Sequence, residues 1–136
     1  MNIKNTIKEL KDNFDKEERK EILQNMLDEN DDFEVSGYRF INKNSIDEIM
    51  KDELLSDTYV LGCCTSWFIA EILDLDSDII EKAQKEENFV LLGELMAKQI
   101  DEVQEKMVQY DGYGHHFGHY DGDENETNEY YYFRIN

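Results

Sequence analysis

The residues best equipped for chemistry lie near the end of the chain, in the stretch DGYGHHFGHYDGDENETN. His115, His116 and His119 stand beside Asp111, Asp121, Asp123 and Glu124, imidazole and carboxylate types that bind a divalent transition metal. Read as a strand, His115 and His116 project to opposite faces, so a single ion would be held by His115, His119 and a carboxylate such as Asp121. A divalent metal is the one cofactor this pattern leaves open; otherwise none is expected. A calcium loop fits less well. Asp121, Asp123 and Asn125 match the first three ligand positions of an EF-hand, but Glu126 falls where the loop turns on glycine and Tyr132 where it needs a bidentate acid. The competing reading is a hairpin whose aromatic residues cover the helices and whose polar loop is simply solvated.

Catalysis has thinner support. A nucleophile needs a base and an orienting group within reach, and no serine or cysteine has the local context of an activated one. Paired carboxylates are everywhere, so their pairing does not single out a hydrolase site. Cys63 and Cys64 are adjacent inside an apolar stretch, a spacing poorly suited to a disulfide, and two ligands fall short of the usual four of a zinc site. A non-enzymatic protein is expected. The segment IAEILDLDSDIIEKA, from Ile69 to Ala83, has the apolar spacing of a helix-turn-helix. A DNA reader would expose Arg, Lys, Asn or Gln on its second helix, whereas this one begins with Asp76, Ser77, Asp78 and Glu81.

Charge dominates the composition: 33 Asp and Glu against 14 Lys and Arg give a net charge of −19 over 136 residues. Such a chain repels nucleic acid, whose binding needs clustered bases that release counterions. It attracts a basic partner instead. Eleven acids lie between Glu9 and Glu34, five between Asp47 and Asp57, seven between Glu71 and Glu87, and six between Asp111 and Glu129, so every exposed face is expected to be negative. The 40% of apolar side chains and the 15 Phe and Tyr residues supply the burial that a disordered chain lacks.

The elements that must position these groups follow from periodicity. Ile3, Ile7, Leu10 and Phe14, then Ile22, Leu23, Met26 and Leu27, predict two short helices or one bent helix. Phe33 and Val35 alternate before Gly37, and Tyr38 and Phe40 after it, predicting a strand over 33–41 with a bulge at the glycine. Ser45 and Glu48 form a capping box that starts a helix at Ile46. The apolar run YVLGCCTSWFIAEILDL predicts a central buried helix, and Phe89, Leu92, Met96, Ile100, Val103, Met107 and Tyr110 predict one long helix. Glycines at 112, 114, 118 and 122 then interrupt an aromatic run, predicting a C-terminal hairpin over 115–135 that pairs with the 33–41 strand. The expected fold is therefore α+β, four to six helices with a small antiparallel sheet, in a single domain spanning 1–136. No stretch of about 18 apolar residues suggests a membrane span, and no leader suggests export. A cytoplasmic protein without membrane association is expected. The aromatic edge strand EYYYFRI tilts the oligomeric expectation toward a homodimer.

Acidity, small size, the Lys, Asn and Ile bias and the absence of cofactor motifs together resemble the small antirestriction and anti-CRISPR proteins of phages and mobile elements. The blocks YVLGCCTSWFIAEILDLDSDIIEKAQ and DGYGHHFGHYDG are likewise similar to small proteins of mobile elements. The resemblance implies an inhibitor, working in a bacterial host cell, that imitates nucleic acid toward a basic nuclease or nucleic-acid-binding complex. Charge density places partner contacts at Asp74, Asp76, Asp78 and Glu81 and at Asp121, Asp123, Glu124 and Glu126. The alternatives are an adaptor for another protein partner and a metal-binding domain built on the terminal His and Asp cluster.

Overall fold

The computed structural model describes residues 2–136. In chain order the elements are α1 (Ile3–Leu10), α2 (Lys16–Leu27), β1 (Asp32–Val35), β2 (Tyr38–Asn42), α3 (Ile46–Ser56), α4 (Thr58–Gly62), α5 (Ser66–Leu73), α6 (Ser77–Lys85), α7 (Phe89–Ala97), α8 (Ile100–Asp111), α9 (Gly114–Phe117), β3 (Asn125–Glu126) and β4 (Tyr130–Arg134). The fold is α+β, with a four-stranded antiparallel sheet ordered β1-β2-β4-β3. Nine helices among the described residues exceed the four to six expected. The surplus arises because both long apolar stripes divide and a short helix replaces the first arm of the C-terminal hairpin. No helix among the described residues is long and apolar enough to cross a membrane.

The chain forms two compact units, one from the segments up to Asp47 and from Asp111 onward, the other from Glu48 to Tyr110. In the first unit, α2 begins with a reciprocal cap: Glu18 N–H donates to Asp15 Oδ1 at 2.8 Å, and Asp15 N–H to Glu18 Oε1 at 2.9 Å. The expected single strand over 33–41 is a hairpin. Ser36 and Gly37 take φ of 51° and 81°, the two positive values a tight two-residue turn needs, and Val35 pairs with Tyr38 across it. Strand β4 pairs with β2 as anticipated, setting Phe40 opposite Tyr132 and Ile41 opposite Tyr131. It is not the edge strand expected, because β3 pairs along its other side at Tyr131 and Tyr132.

Alternation then gives the sheet two apolar faces. Phe33, Phe40, Tyr130 and Tyr132 share one, against Leu10, Phe14, Ile22 and Met26 of the N-terminal segment. Phe40 stacks on Phe33 at 5.1 Å and on Tyr132 at 5.0 Å, and Phe14 meets three rings at 5.0–5.7 Å. The buried tyrosines find hydrogen-bond partners, as burial requires: Tyr130 donates its hydroxyl to Asn30 O at 2.8 Å, and Tyr132 Oη accepts from Asn13 at 3.1 Å. On the other face, Phe133 packs on Phe117 of α9 at 5.2 Å.

The second unit is helical. The apolar run from Tyr59 to Leu75 does not form one helix: after Gly62 the ladder tightens, with Cys63 N–H bonding Val60 O and Cys64 N–H bonding Leu61 O, and Ser66 starts afresh. Gln84 takes the freed carbonyls, donating to Gly62 O at 3.2 Å and Cys64 O at 2.7 Å. The predicted helix over 89–110 likewise breaks at Lys98–Gln99, where Gln99 N–H bonds Met96 O. Met96 and Val103 are fully buried on either side of that break. Helices α4 and α7 meet backbone to backbone: a Cβ added to Gly62 would lie 1.9 Å from Phe89 O, and one added to Gly93 would lie 1.9 Å from Thr58 O.

Candidate partner-binding surfaces

The second unit presents the acidic patch expected at the turn between α5 and α6. Asp74 ends α5 in the left-handed conformation at φ 55°, Asp76 is the N-cap of α6, and Asp78 lies in its first turn. All three are exposed, and among the described residues no cation pairs with them. Glu81 is also exposed and accepts from Ser66 Oγ at 3.4 Å. Asp76 and Asp78 favour α6 through the positive end of its dipole, which accounts for their position whatever binds them. Leu75 and Ile79 stand among them with 47% and 57% of their surface exposed. The patch is therefore mixed, acid interleaved with aliphatic.

The four C-terminal acids lie on the other unit and divide into two pairs. Asp121 Oδ1 accepts from Asp123 N–H at 2.9 Å, a local turn contact that leaves both side chains exposed. Glu124 and Glu126 are also exposed but border a polar and aromatic cluster. Lys43 binds Glu126 at 2.7 Å and lies over the Tyr131 ring at 5.0 Å, and Tyr113 packs 5.1 Å from Tyr131. Burial, then the neighbouring Glu126 charge, pushes the Glu124 carboxyl above its ordinary range, against the opposing pull of the Tyr113 backbone N–H and Lys43. Tyr113 donates its hydroxyl to Asp47 Oδ1 at 2.6 Å; burial first, and that bond second, hold its phenol protonated far above the usual range.

The histidines are arranged differently from the strand pattern on which the metal reading rested. His115 and His116 lie in α9, and His119 follows it in a turn closed by its N–H on Phe117 O at 3.1 Å. His115 and His119 are exposed, while the His116 ring lies edge-on to Phe117 at 4.6 Å. Among the described residues no three His, Cys, Asp or Glu side chains converge as metal ligands. Glycines explain the compaction here: a Cβ on Gly114 would lie 2.1 Å from Gly122 O, and Gly118 and Gly122 continue a chain of 2.8 Å N–H to carbonyl bonds. Arg134 covers the Tyr120 ring at 3.9 Å.

Two surface features escaped the sequence reading. Trp67, the single tryptophan, is 53% exposed and packs edge-on to Tyr110 at 5.4 Å. It sits in a mostly apolar run, and the signal that could have placed it outward is Glu71, one helical turn on at i+4. The second is a groove of about 650 Å³ on the first unit, with Ile7, Leu23 and Leu27 as apolar walls and Lys16, Arg19 and Lys20 at its edge. The alternation of acids and bases in the first twenty residues hid this grouping. Compared with protein-family models, curated proteins and solved structures, the chain matches none of them.

Proposed function

We propose that the protein is a non-enzymatic binding protein that engages a basic nucleic-acid-processing partner and inhibits it by offering carboxylates where phosphates would bind. The observation that carries this reading is the exposure of Asp74, Asp76 and Asp78 on one unit and of Asp121 and Asp123 on the other, none paired with a cation among the described residues. Exposed carboxylates keep their hydration until a partner replaces it, and several presented together steer a basic surface from a distance of order the Debye length, about 8 Å at physiological salt. The net charge of −19 disfavours direct nucleic-acid binding and close packing of like copies. Leu75 and Ile79 add apolar area inside the acidic patch, which gives a charge-steered complex something to desolvate.

The test is charge reversal on each patch, with Asp76, Asp78 and Glu81 changed to Lys in one variant and Asp121, Asp123 and Glu124 in another. The protein serves as bait in host-cell extract, washed at low and at high salt. The expected result is a basic nuclease or nucleic-acid-binding complex that is retained at low salt, released at high salt, and lost by at least one variant with an unchanged circular dichroism spectrum. Asn and Gln versions separate loss of the carboxylates from the new repulsion that Lys introduces. Because the first-turn acids each stabilise α6 by about 0.3–1 kcal/mol, circular dichroism is recorded for these variants too. Retention of the same proteins by both reversed variants would overturn the reading.

A further inference from the structure

We propose that Trp67, braced by Tyr110 and flanked by Glu71 and Asp74, anchors an arginine side chain of the basic partner. The inference rests on the acidic-binding reading and adds the residue type that the second unit selects. A half-exposed tryptophan leaves a large apolar ring in water, and tryptophan is among the residues that concentrate binding energy at interfaces. This ring is held in place by neighbours on two helices. It lies 5.4 Å from Tyr110 at an interplanar angle of 77° and 5.9 Å from buried Phe68. Tyr110 in turn donates its hydroxyl to Glu71, with both carboxylate oxygens at 2.8 Å, and Lys106 approaches the same carboxylate at 3.4 Å. Little side-chain freedom is left to lose on binding.

Spacing supplies the charge. Trp67 and Glu71 fall at i and i+4 on one face of α5, so a cation over the indole has a carboxylate beside it. Asp74, the left-handed C-cap, adds negative charge at the end of the same helix. Glu71 is partly compensated by Lys106, whereas Asp74 is exposed and unpaired among the described residues. A carboxylate offers about four acceptor positions, so Glu71 can accept a further donor without releasing Tyr110. A guanidinium suits this surface better than an ammonium. It is flat, weakly hydrated, stacks on aromatic faces and bridges carboxylates with a rigid fork, while the lysine head is a compact, strongly hydrated point charge. Its bond to Glu71, first among the causes, raises the pKa of Tyr110, so the brace stays a donor into alkaline pH.

Because Trp67 is the single tryptophan, its emission reports this surface alone. The probes are octa-arginine and octa-lysine peptides titrated at low ionic strength, followed by Trp67 fluorescence and by calorimetry. Octa-arginine is expected to shield Trp67 from acrylamide and to bind about five- to tenfold tighter than octa-lysine, the scale of one cation–π contact. Trp67→Ala is expected to bring the two affinities within about twofold by calorimetry, and Trp67→Phe to keep part of the preference. Tyr110→Phe, which removes only the hydroxyl tether, is expected to reduce it; circular dichroism checks the fold of each variant. Equal affinity for both peptides, or an arginine preference that survives in both Trp67 variants, would overturn the anchor and leave the acidic-binding reading standing. Failure of both peptides to bind at low salt would remove that reading, and the anchor with it.

Discussion

The two units bury their apolar residues in different ways. The sheet unit interlocks rings: Phe14, Phe33, Phe40, Tyr130 and Tyr132 lie 5.0–5.8 Å from their neighbours, and the large side chains at its centre are sealed from water. The helical unit brings backbones together at Gly62 and Gly93, leaving no room for side chains at the contact. Leu61, Ile69, Ile80, Leu92 and Met96 are buried around that contact, whereas Tyr59, Val60, Val90 and Leu91 on the same two helices each remain at least half exposed. The ring cluster hides its own apolar area and leaves Ile3, Ile7 and Leu27 exposed outside it, whereas in the helical unit the exposed apolar residues lie on the two helices of the backbone contact itself. Together with Leu75, Ile79 and Trp67, that residue of exposed area makes the helical unit the better equipped for a partner.

Breaking the ring cluster should have the largest effect. Phe40→Ala removes a fully buried ring that stacks on two others, and a loss of about 3–5 kcal/mol is expected in urea unfolding followed by tyrosine near-ultraviolet circular dichroism. The glycine contact comes next. Alanine in a helix interior normally gains about 1 kcal/mol over glycine, but at Gly93 its methyl would overlap Thr58 O, so Gly93→Ala should instead cost about 1–3 kcal/mol. Trp67 lies in the same unit, and its fluorescence should report that loss at a lower urea midpoint. A neutral or stabilising Gly93→Ala would break the distinction between the units. If Phe40→Ala shifts the Trp67 transition as far as the tyrosine one, the units differ in packing but unfold together.

The smallest effect sharpens the electrostatic side. Glu124 has its folded pKa raised, mainly by burial and then by Glu126, so folding favours its protonated form. Its favourable contribution is present below the ordinary carboxylate pKa and is lost as pH rises through the raised folded value. Glu124→Gln should therefore raise the melting temperature slightly at pH 7.5, and the difference from the parent should close toward pH 4. A Gln variant that is less stable at pH 7.5 would mean that the Tyr113 backbone bond outweighs the burial and the repulsion.

Much of the secondary structure was legible in the sequence because local signals and burial agreed. The N-terminal spacing predicts two helices or one bent helix, and two form. Leu10, Phe14, Ile22 and Met26 of the predicted apolar faces are buried, Leu23 is half-buried, and Ile3, Ile7 and Leu27 stay exposed. Helix α3 begins at Ile46 after Ser45, and the aromatic C-terminus pairs with β2. The turn at Ser36–Gly37 was half legible. Alternation changes phase between Val35 and Tyr38, which a bulge and a two-residue turn both produce, and only the pairing of Val35 with Tyr38 selects the turn. The division at Cys63–Thr65 is marked only weakly, by Gly62 and the N-cap type Thr65, and the one at Lys98–Gln99 not at all, because apolar spacing of three and four continues across each break. His115 and His116 were assigned to a strand from aromatic and glycine content, whereas the glycine contacts at 114, 118 and 122 hold this stretch as a helical turn and a folded loop.

The sequence by itself determined the charge, the α+β class and most apolar faces, since these depend on residue type and on periods of two and 3.6 residues along one chain. Tertiary structure alone decided where the stripes break, that Gly62 and Gly93 lie at a backbone crossing, and that Trp67 stands outside beside Tyr110. Each of those outcomes depends on what residues far away in the chain occupy, and a local pattern carries no record of which side of an apolar run a distant helix will cover.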